Sequence, residues 1–302
     1  MVKIKVRGVE HYYEWVKGDS AASSKPVMVF VHGWAGSDRY WESTARAIAE
    51  KFDCLLYDMR GFGRSRLPEQ PVGVWSMPIA AARRMLCPSG QEHAEDAVEI
   101  GYEMEEYAED LAALLDALQL ERVYINAHSM GASVAVLFIN RYPELVEKAI
   151  FTCSGIFEYD EKSFTAFHRF GGYVVKFRPK WLTQIPLMDK MFMARFLYRA
   201  IPSAQSRAFL EDFLLADYDA ALGTIYTSVS KHAAEFMPQE FANLSVPCLL
   251  VSGEYDKIIP AIMGKKAAEL NDLVEFAMIP NTAHFPMLES ADTYLQRVLE
   301  FL

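Results

Sequence analysis

The segment from Val123 to Val134 constrains the fold of this 302-residue chain more than any other segment. An apolar run ends at His128, breaks at Ser129 and resumes after Gly131 as a second apolar run. This pattern predicts a buried strand, a sharp corner and a helix, with Ser129 at the corner and a small residue two positions to either side of it. A serine that only caps an ordinary helix would give a similar pattern, because serine is a favoured N-cap residue.

Three other segments end in residues that can take part in acyl transfer. The apolar run 27–31 leads into a glycine-bearing loop with Trp34, the run 247–252 is followed by Asp256, and the run 274–279 is followed by His284. Acyl transfer needs a nucleophile, a base, an acid that orients the base and N–H groups that stabilise an oxyanion. A loop N–H and the N–H of the residue after the serine, Met130, are suited to the last task.

The chain resembles the α/β-hydrolase-fold serine hydrolases over nearly its whole length. The serine lies in a GxSxG-like elbow in which alanine replaces the first glycine, and the serine, the acid and the histidine follow one another in the order of that family. The segment from Asp58 to Ser65, DMRGFGRS, also matches the DxRGxGxS turn of many members. The resemblance implies that Ser129 is the nucleophile, His284 the base and then the acid, Asp256 the residue that orients the histidine, and Trp34 and Met130 the oxyanion donors.

Strand and helix patterns alternate along the chain, which predicts an α/β fold. We expect a mostly parallel, eight-stranded α/β-hydrolase sheet with helices on both faces and an inserted helical cap. Strands are predicted near residues 2–7, 10–16, 26–31, 53–57, 122–128, 148–153, 247–252 and 274–279. The hydrolase core would comprise residues 1–156 and 241–302, and the cap residues 157–240 between strands 6 and 7.

The predicted cap is crowded with aromatic and methionine side chains, which are as typical of internal packing as of a ligand site. A small cap cannot bury all of them against itself, so we expect some to face the serine and form an apolar pocket. The candidate pocket residues are His128, Phe157, Phe164, Phe167, Met191, Phe192, Phe196 and Phe285. The long stretch from Arg66 to Ile100 is expected to form a second wall of this pocket, and disorder of this stretch is the alternative.

Charge is distributed unevenly in this chain, whose formal net charge is −10. Residues 162–207 contain nine basic residues and one acidic residue, whereas residues 91–110 contain nine acidic residues and no Lys or Arg. Three interpretations stay open: the acidic segment is a solvated helix face, it docks on the basic cap, or the cap makes weak peripheral contact with an anionic membrane. We expect no nucleic-acid partner, and a monomer and a dimer are equally compatible with the sequence.

Neither metal ligation nor membrane insertion is indicated by the sequence. The cysteines and histidines do not stand at metal-ligand spacing, so we expect no metal and no cofactor. The stretch of about 18 apolar residues that spans a bilayer is absent. The amino end alternates like an edge strand and lacks the apolar centre of a signal peptide, which predicts a cytoplasmic protein.

The predicted function is hydrolysis of a carboxylic ester with a hydrophobic acyl or aromatic group through a Ser-His-Asp acyl-enzyme mechanism. A carbon–carbon bond hydrolase and a thioesterase on the same triad are alternatives. A ligand receptor of the same fold that does not turn its ligand over is another, because a fold does not dictate a function. The sequence does not identify the ester.

Overall fold

The computed structural model describes residues 2–19, 25–66 and 101–302 of the chain. Its strands form one eight-stranded sheet in the order β1-β2-β4-β3-β5-β6-β7-β8. Strand β2 is antiparallel to both of its neighbours, and all other adjacent strands are parallel. The predicted mostly parallel, eight-stranded sheet is therefore confirmed. The strands are β1 Val2–Val6, β2 Val9–Val16, β3 Val27–Val31, β4 Asp53–Tyr57, β5 Val123–His128, β6 Val146–Thr152, β7 Cys248–Gly253 and β8 Val274–Ile279.

Helices cover both faces of this sheet, as predicted. In the described residues the α-helices are α1 Glu42–Ile48, α2 Met104–Ala117, α3 Met130–Arg141, α4 Glu161–Lys176, α5 Met188–Met193, α6 Ser203–Leu215, α7 Tyr218–Ser228, α8 Lys231–Ala242, α9 Ala261–Ala268, α10 Pro286–Glu289 and α11 Ala291–Phe301. Short 3-10 helices lie at Asp38–Trp41, Pro143–Leu145 and Lys180–Gln184.

The central strands are apolar along their whole length because both of their faces are buried. Side chains alternate between the faces of a strand, so Val29 and Val31 point into one core while Met28 and Phe30 point into the other. The first core contains residues of α2 and α3, and the second contains residues of α1 and α11. Continuous apolar runs are typical of parallel strands covered on both faces.

A helical segment lies between β6 and β7, where the sequence predicts the cap. It contains α4 to α8, and α4 packs on α7 while α5 packs on α6. The division of the chain into a core and a cap stays a prediction, because the elements alone do not establish separate domains. The predicted pocket wall from Arg66 to Ile100 lies outside the described residues except for Arg66.

The loops after four parallel strands meet at the same edge of the sheet. Trp34 follows β3, Ser129 follows β5, Asp256 follows β7 and His284 follows β8. This edge, at the carboxyl ends of the strands, is where open α/β sheets bind ligands. Within the described ranges, none of the helices is both long enough and apolar enough to cross a membrane.

We expect the end of β7 to tolerate no side chain. A Cβ atom at Gly253 would lie 1.9 Å from the carbonyl oxygen of Ala283, in the loop that carries His284. Gly253→Ala should therefore force two backbone segments apart and lower the free energy of unfolding by about 1–3 kcal/mol. Urea unfolding of the purified variant measures this change.

Gly172→Ala is the matched control, because it adds the same methyl group within α4. The new Cβ would lie 3.5 Å from the Tyr226 hydroxyl, which is an ordinary contact. Removing a glycine from a helix should leave the stability unchanged or raise it by about 0.5–1 kcal/mol. Equal stabilities of the two variants would contradict the close approach at Gly253.

Candidate active site

Ser129 occupies a strained backbone conformation at the corner between β5 and α3. Its φ and ψ angles are 53° and −122°, a region that residues other than glycine rarely adopt. The corner is held because the Ser129 N–H donates to the carbonyl oxygen of Thr152 at 2.9 Å, while the Ser129 carbonyl accepts from Ala132 at 2.9 Å. The serine therefore stands on a turn whose hydrogen bonds maintain the strain.

Gly131 allows this corner to pack directly against the loop after β3. A Cβ atom at this position would lie 2.3 Å from the carbonyl oxygen of His32 and 2.9 Å from that of Val31. Real Cβ atoms do not approach a carbonyl oxygen so closely, so only glycine fits without displacing the backbone. The contact brings the loop of Trp34 beside Ser129 and Met130.

The structure brings Ser129, His284 and Asp256 together in one hydrogen-bonded chain. His284 Nε2 lies 3.1 Å from Ser129 Oγ, and His284 Nδ1 lies 2.7 Å from Asp256 Oδ2. A carboxylate only accepts, so Nδ1 carries the proton and Nε2 is free to accept the hydroxyl proton of the serine. This arrangement can deprotonate a serine hydroxyl and then return the proton to a leaving group.

Asp256 is buried but remains ionised because its oxygens are fully engaged. Oδ1 accepts from the N–H groups of Ile258 and Ile259 at 2.7 and 3.1 Å, and Oδ2 faces His284. Burial by itself raises the pKa of this carboxyl group, but His284 and the two N–H groups outweigh it and hold the pKa below its ordinary value. The carboxylate therefore orients the imidazole ring of His284.

The backbone around His284 is fixed by neighbours from three parts of the chain. Its N–H donates to the carbonyl oxygen of Phe196 at 2.9 Å, and its carbonyl oxygen lies 2.8 Å from His128 Nε2. Glu289 Oε1 accepts from Ala283 at 2.9 Å, and the other oxygen of Glu289 accepts from two N–H groups at positions 198 and 199. The buried carboxylate of Glu289 thus connects the loop of His284 to residues 153–247, which we call the β6–β7 segment.

A second buried chain of hydrogen bonds connects the β3 loop with His284. The Gly33 N–H donates to the Tyr40 hydroxyl, and this hydroxyl lies 3.0 Å from His128 Nδ1. Because the carbonyl of His284 only accepts, His128 Nε2 carries the proton and Nδ1 accepts from Tyr40. Burial raises the pKa of Tyr40 well above its ordinary value, and burial together with His284 lowers the pKa of His128 well below its own. The side chains of Tyr40 and His128 are therefore both neutral at physiological pH.

His32 shapes the loop that carries Trp34. Its Nε2 accepts the N–H of Met59 at 2.8 Å, so Nδ1 carries the proton and donates to the Gly33 carbonyl at 2.8 Å. Burial lowers the pKa of His32, which keeps the ring neutral. The Trp34 indole donates to Ala221 of α7 at 2.9 Å. Among the described residues, the backbone N–H groups of Trp34 and Met130 have no hydrogen-bond acceptor, so both can serve an incoming oxyanion.

The predicted pocket residues separate into two groups. Near the site, the Phe196 ring lies 6.2 Å from the His284 ring, Phe192 packs on Phe196 at 5.9 Å, and Phe285 packs on His128 at 4.7 Å. His128 itself is only 1% exposed, so it supports the site from its buried side and does not line an open pocket.

Four other predicted pocket residues differ in their burial. Phe164 is buried against Tyr159 at 5.0 Å, and Phe157 is half-buried. Phe167 and Met191 expose 42% and 69% of their surfaces to solvent. The expectation that these last two side chains face Ser129 stays a prediction, because exposure to solvent does not show toward which part of the molecule a side chain points.

Tyr40 and Glu289 are functional candidates that sequence reasoning did not identify. Tyr40 lies in a 3-10 helix and is 88 residues from His128 along the chain, and Glu289 is 91 residues from Tyr198. Neither belongs to a recognisable motif, and their roles depend on partners that only the tertiary structure brings near. A weak signal existed for Glu289, since an acid close behind a catalytic-loop histidine is available to bind the N–H groups of that loop.

His128, Cys153 and His284 lie close enough together to suggest a metal site, with potential ligand atoms within 4.8 Å of one another. Their chemistry does not fit one. Both ring nitrogens of each histidine are engaged in hydrogen bonds, and burial raises the pKa of the Cys153 thiol well above its ordinary value. A thiol must lose its proton to ligate a metal, and a histidine must offer a free lone pair.

Comparison with known proteins identifies the family of this chain. The model of the alpha/beta hydrolase fold family matches residues 26–291. Among curated proteins, the pimeloyl-[acyl-carrier protein] methyl ester esterase of Vibrio cholerae is 22% identical over 281 residues, which cover 91% of this chain and 93% of the esterase.

Solved structures share the fold at low sequence identity. An esterase from Exiguobacterium antarcticum superimposes with a TM-score of 0.74 at 16% identity and covers 99% of this chain and 98% of its own. The enol-lactonase from Burkholderia xenovorans LB400 has a TM-score of 0.73 at 18% identity and covers 99% of both chains. These identities are too low to transfer a substrate, so the likeness establishes the fold alone.

The neutral, buried His128 should make the protein sensitive to acid. In the unfolded chain a histidine takes up a proton near pH 6.5, whereas His128 in the folded protein does not. The unfolded state then binds more protons, so the free energy of unfolding falls as the pH drops below about 6.5. Between pH 6 and 5, His128→Gln should reduce the slope of the free energy of unfolding against pH by up to about 1.4 kcal/mol per pH unit. Urea unfolding at each pH measures this slope.

His232→Gln controls for the loss of one histidine, because the His232 side chain is 70% exposed. This variant is expected to keep the slope of the parent protein. The same reduction in both variants would show that the pH dependence does not arise from the buried ring of His128.

Proposed function

Because the chain belongs to the α/β-hydrolase-fold family, we propose that it is a serine hydrolase that cleaves carboxylic esters with hydrophobic acyl or aromatic groups. Family membership supports a hydrolase activity. The finer proposal rests on the hydrogen-bonded triad. Ser129 Oγ lies 3.1 Å from His284 Nε2, and His284 Nδ1 lies 2.7 Å from Asp256 Oδ2. We also propose that the helical segment 157–240 forms a cap over this site. The cytoplasmic location stays a prediction.

The proposed reaction proceeds through an acyl-enzyme. His284 Nε2 takes the hydroxyl proton of Ser129 as Oγ forms a bond to the ester carbonyl carbon. His284 then gives this proton to the leaving alkoxide, and the alcohol departs. In the second half, His284 takes a proton from water, hydroxide attacks the acyl-enzyme, and the proton returns to Ser129 as the acid is released.

The N–H groups of Trp34 and Met130 are the proposed oxyanion donors. Electrostatic stabilisation of this kind is effective when the donors are held in place before the reaction. Tyr40 anchors the Gly33 N–H next to Trp34, and the Gly131 contact holds Met130 against the same loop. Tyr40 and His128 therefore act in this proposal as positioning residues.

An apolar wall beside His284 supports a hydrophobic substrate. Phe192 packs on Phe213 at 4.9 Å, and Phe213 lies 6.0 Å from Trp34, so aromatic rings connect the oxyanion loop with Phe196. A ligand site lined mostly by such rings favours apolar groups and leaves recognition of the carbonyl to a few polar atoms. The names of the compared esterase and lactonase agree with ester chemistry. Thioester and carbon–carbon bond cleavage on the same triad, and binding without turnover, remain the alternatives.

Ser129→Ala, His284→Ala and Asp256→Asn are each expected to remove most of the activity on p-nitrophenyl esters without unfolding the protein. Loss of the nucleophile or base should lower kcat by at least about 10³-fold. The members act as one unit, so Ser129→Ala/His284→Ala should be little worse than either single variant. Steady-state kinetics and unfolding midpoints measure both properties.

A pre-steady-state burst followed by continued turnover would support the acyl-enzyme, and a fluorophosphonate probe should label Ser129 alone. A single turnover without a steady state would instead favour a ligand receptor. Near-parental kcat in Ser129→Ala would exclude the mechanism.

Phe196→Ala should change substrate preference while sparing the chemistry. The ring lies beside His284, whereas the backbone carbonyl that holds His284 is kept in the variant. We expect kcat/KM to fall about tenfold or more for long-chain esters, and by much less for the acetate, because a buried aromatic contact contributes about 1.5–3 kcal/mol. Phe167→Ala removes an exposed ring of the same type and should leave the chain-length profile unchanged.

A further inference from the structure

Helix α4 has apolar residues on two opposite faces, and the residues that the structure describes cover only one of these faces. Phe164, Gly171 and Val175 are buried, and α4 packs on α7, where Gly171 faces Ile225. A helix of this kind normally presents charged and polar residues on its other side. The outer side of α4 instead carries large aromatic side chains.

Four aromatic residues form this exposed surface. Phe170, Tyr173 and Phe177 expose 61%, 60% and 65% of their surfaces, and Trp181 in the 3-10 helix Lys180–Gln184 exposes 50%. Phe170 and Tyr173 lie three residues apart on one side of α4, and Phe177, directly after the end of the helix, stands four residues farther along the same side. The Phe177 and Trp181 rings are in contact, with centroids 6.3 Å apart. An exposed apolar patch of this kind marks an interaction surface.

Basic side chains surround these rings. Lys162, Arg169, Lys176 and Lys180 are all exposed, and within the described part of the chain none of them forms an ion pair. Glu161, at the first turn of α4, is the acidic residue that lines this surface beside them. We name the four aromatic and four basic residues together the α4 outer face.

The acidic segment does not neutralise the α4 outer face in its described part. Glu106 pairs with Arg7 at 2.7 Å, Glu109 with Arg141 at 2.8 Å, and Asp110 with the buried Arg60 at 2.9 Å. These acids are bound to residues outside the β6–β7 segment. Tyr102 and Glu105 do contact the β6–β7 segment, at Thr227 (2.7 Å) and His232 (3.9 Å), but none of the residues 101–110 forms an ion pair with the four basic residues of the α4 outer face.

We propose that the α4 outer face binds the surface of membranes that contain anionic phospholipids. Tryptophan and tyrosine prefer the interface between headgroups and acyl chains, and basic residues beside them attract anionic headgroups. The formal net charge of −10 does not prevent this contact, because charges farther away than a Debye length of about 8 Å are largely screened. The four cations on the face therefore decide the local sign of the interaction.

A second copy of the chain fits this face less well than a lipid surface. In a two-fold symmetric dimer the same patch meets itself, so four unpaired cations would approach their own copies. The centres of protein interfaces are also depleted of charged residues. Lipid headgroups supply the missing negative charge over the whole patch.

Flotation of the full-length protein with vesicles tests this proposal. Vesicles of phosphatidylcholine with about 30% phosphatidylserine should bind the protein, and pure phosphatidylcholine vesicles should bind little, with weaker binding at high salt. Lys176→Glu/Lys180→Glu should weaken binding by at least about 25-fold, since each nearby basic residue contributes about fivefold. Phe177→Ser/Trp181→Ser should also weaken it, because the aromatic rings enter the interface.

Lys5→Glu/Lys51→Glu is the matched control, because it makes the same change in net charge at exposed positions outside the β6–β7 segment. We expect binding within about twofold of the parent protein. If Lys5→Glu/Lys51→Glu lost as much vesicle binding as Lys176→Glu/Lys180→Glu, net charge alone would explain the effect, and the proposal would be overturned. Binding is measured without substrate, so its outcome does not depend on hydrolysis.

Further outcomes would also overturn the proposal. The first is absence of binding to anionic vesicles at low salt. The second is a lowered thermal midpoint of Lys176→Glu/Lys180→Glu without lipid, which would show that another part of the chain covers the face. The third is a concentration-dependent dimer that Phe177→Ser/Trp181→Ser abolishes, or binding to a soluble polyanion that matches binding to vesicles.

Discussion

The candidate site depends on the contact between the β5–α3 corner and the loop after β3. With no Cβ atom at Gly131, the backbone of α3 can lie against the carbonyl oxygen of His32. This contact determines how far Ser129 and Met130 lie from Trp34, because all three belong to the two segments that meet there. A methyl group at Gly131 would separate the serine from one of its proposed oxyanion donors.

Around this contact, the polar groups of the site are connected by buried hydrogen bonds whose side chains are mostly neutral. Tyr40 and His128 join the backbone of the β3 loop to the backbone of His284, and burial keeps both side chains uncharged. Asp256 is the ionised exception, and its negative charge lies next to His284, where positive charge would develop. Donors and dipoles that are fixed before the reaction need no reorganisation during it, which is the physical advantage of such a network.

The β6–β7 segment uses aromatic side chains for two different purposes. Phe192 and Phe196 face inward and pack between Phe213 and His284, whereas Phe170 and Phe177 face solvent among cations that form no ion pair with the described residues. Glu289 holds the inner part of this segment to the His284 loop through the N–H groups of Tyr198 and Arg199. Motion of this segment would therefore act directly on the position of His284.

The sequence by itself determined the fold class, because continuous apolar strands and alternating helices allow few architectures. It also selected Ser129, Asp256 and His284, since each follows a recognisable strand, and the tertiary structure brings them within hydrogen-bond distance. Only the tertiary structure decided which aromatic residues lie beside His284, because aromatic residues occur throughout residues 157–240 and the sequence pattern does not show which of them pack against the His284 loop. It alone also revealed the roles of Tyr40 and Glu289, because each of them joins a partner close in sequence to one about 90 residues away, and no local pattern predicts the distant partner.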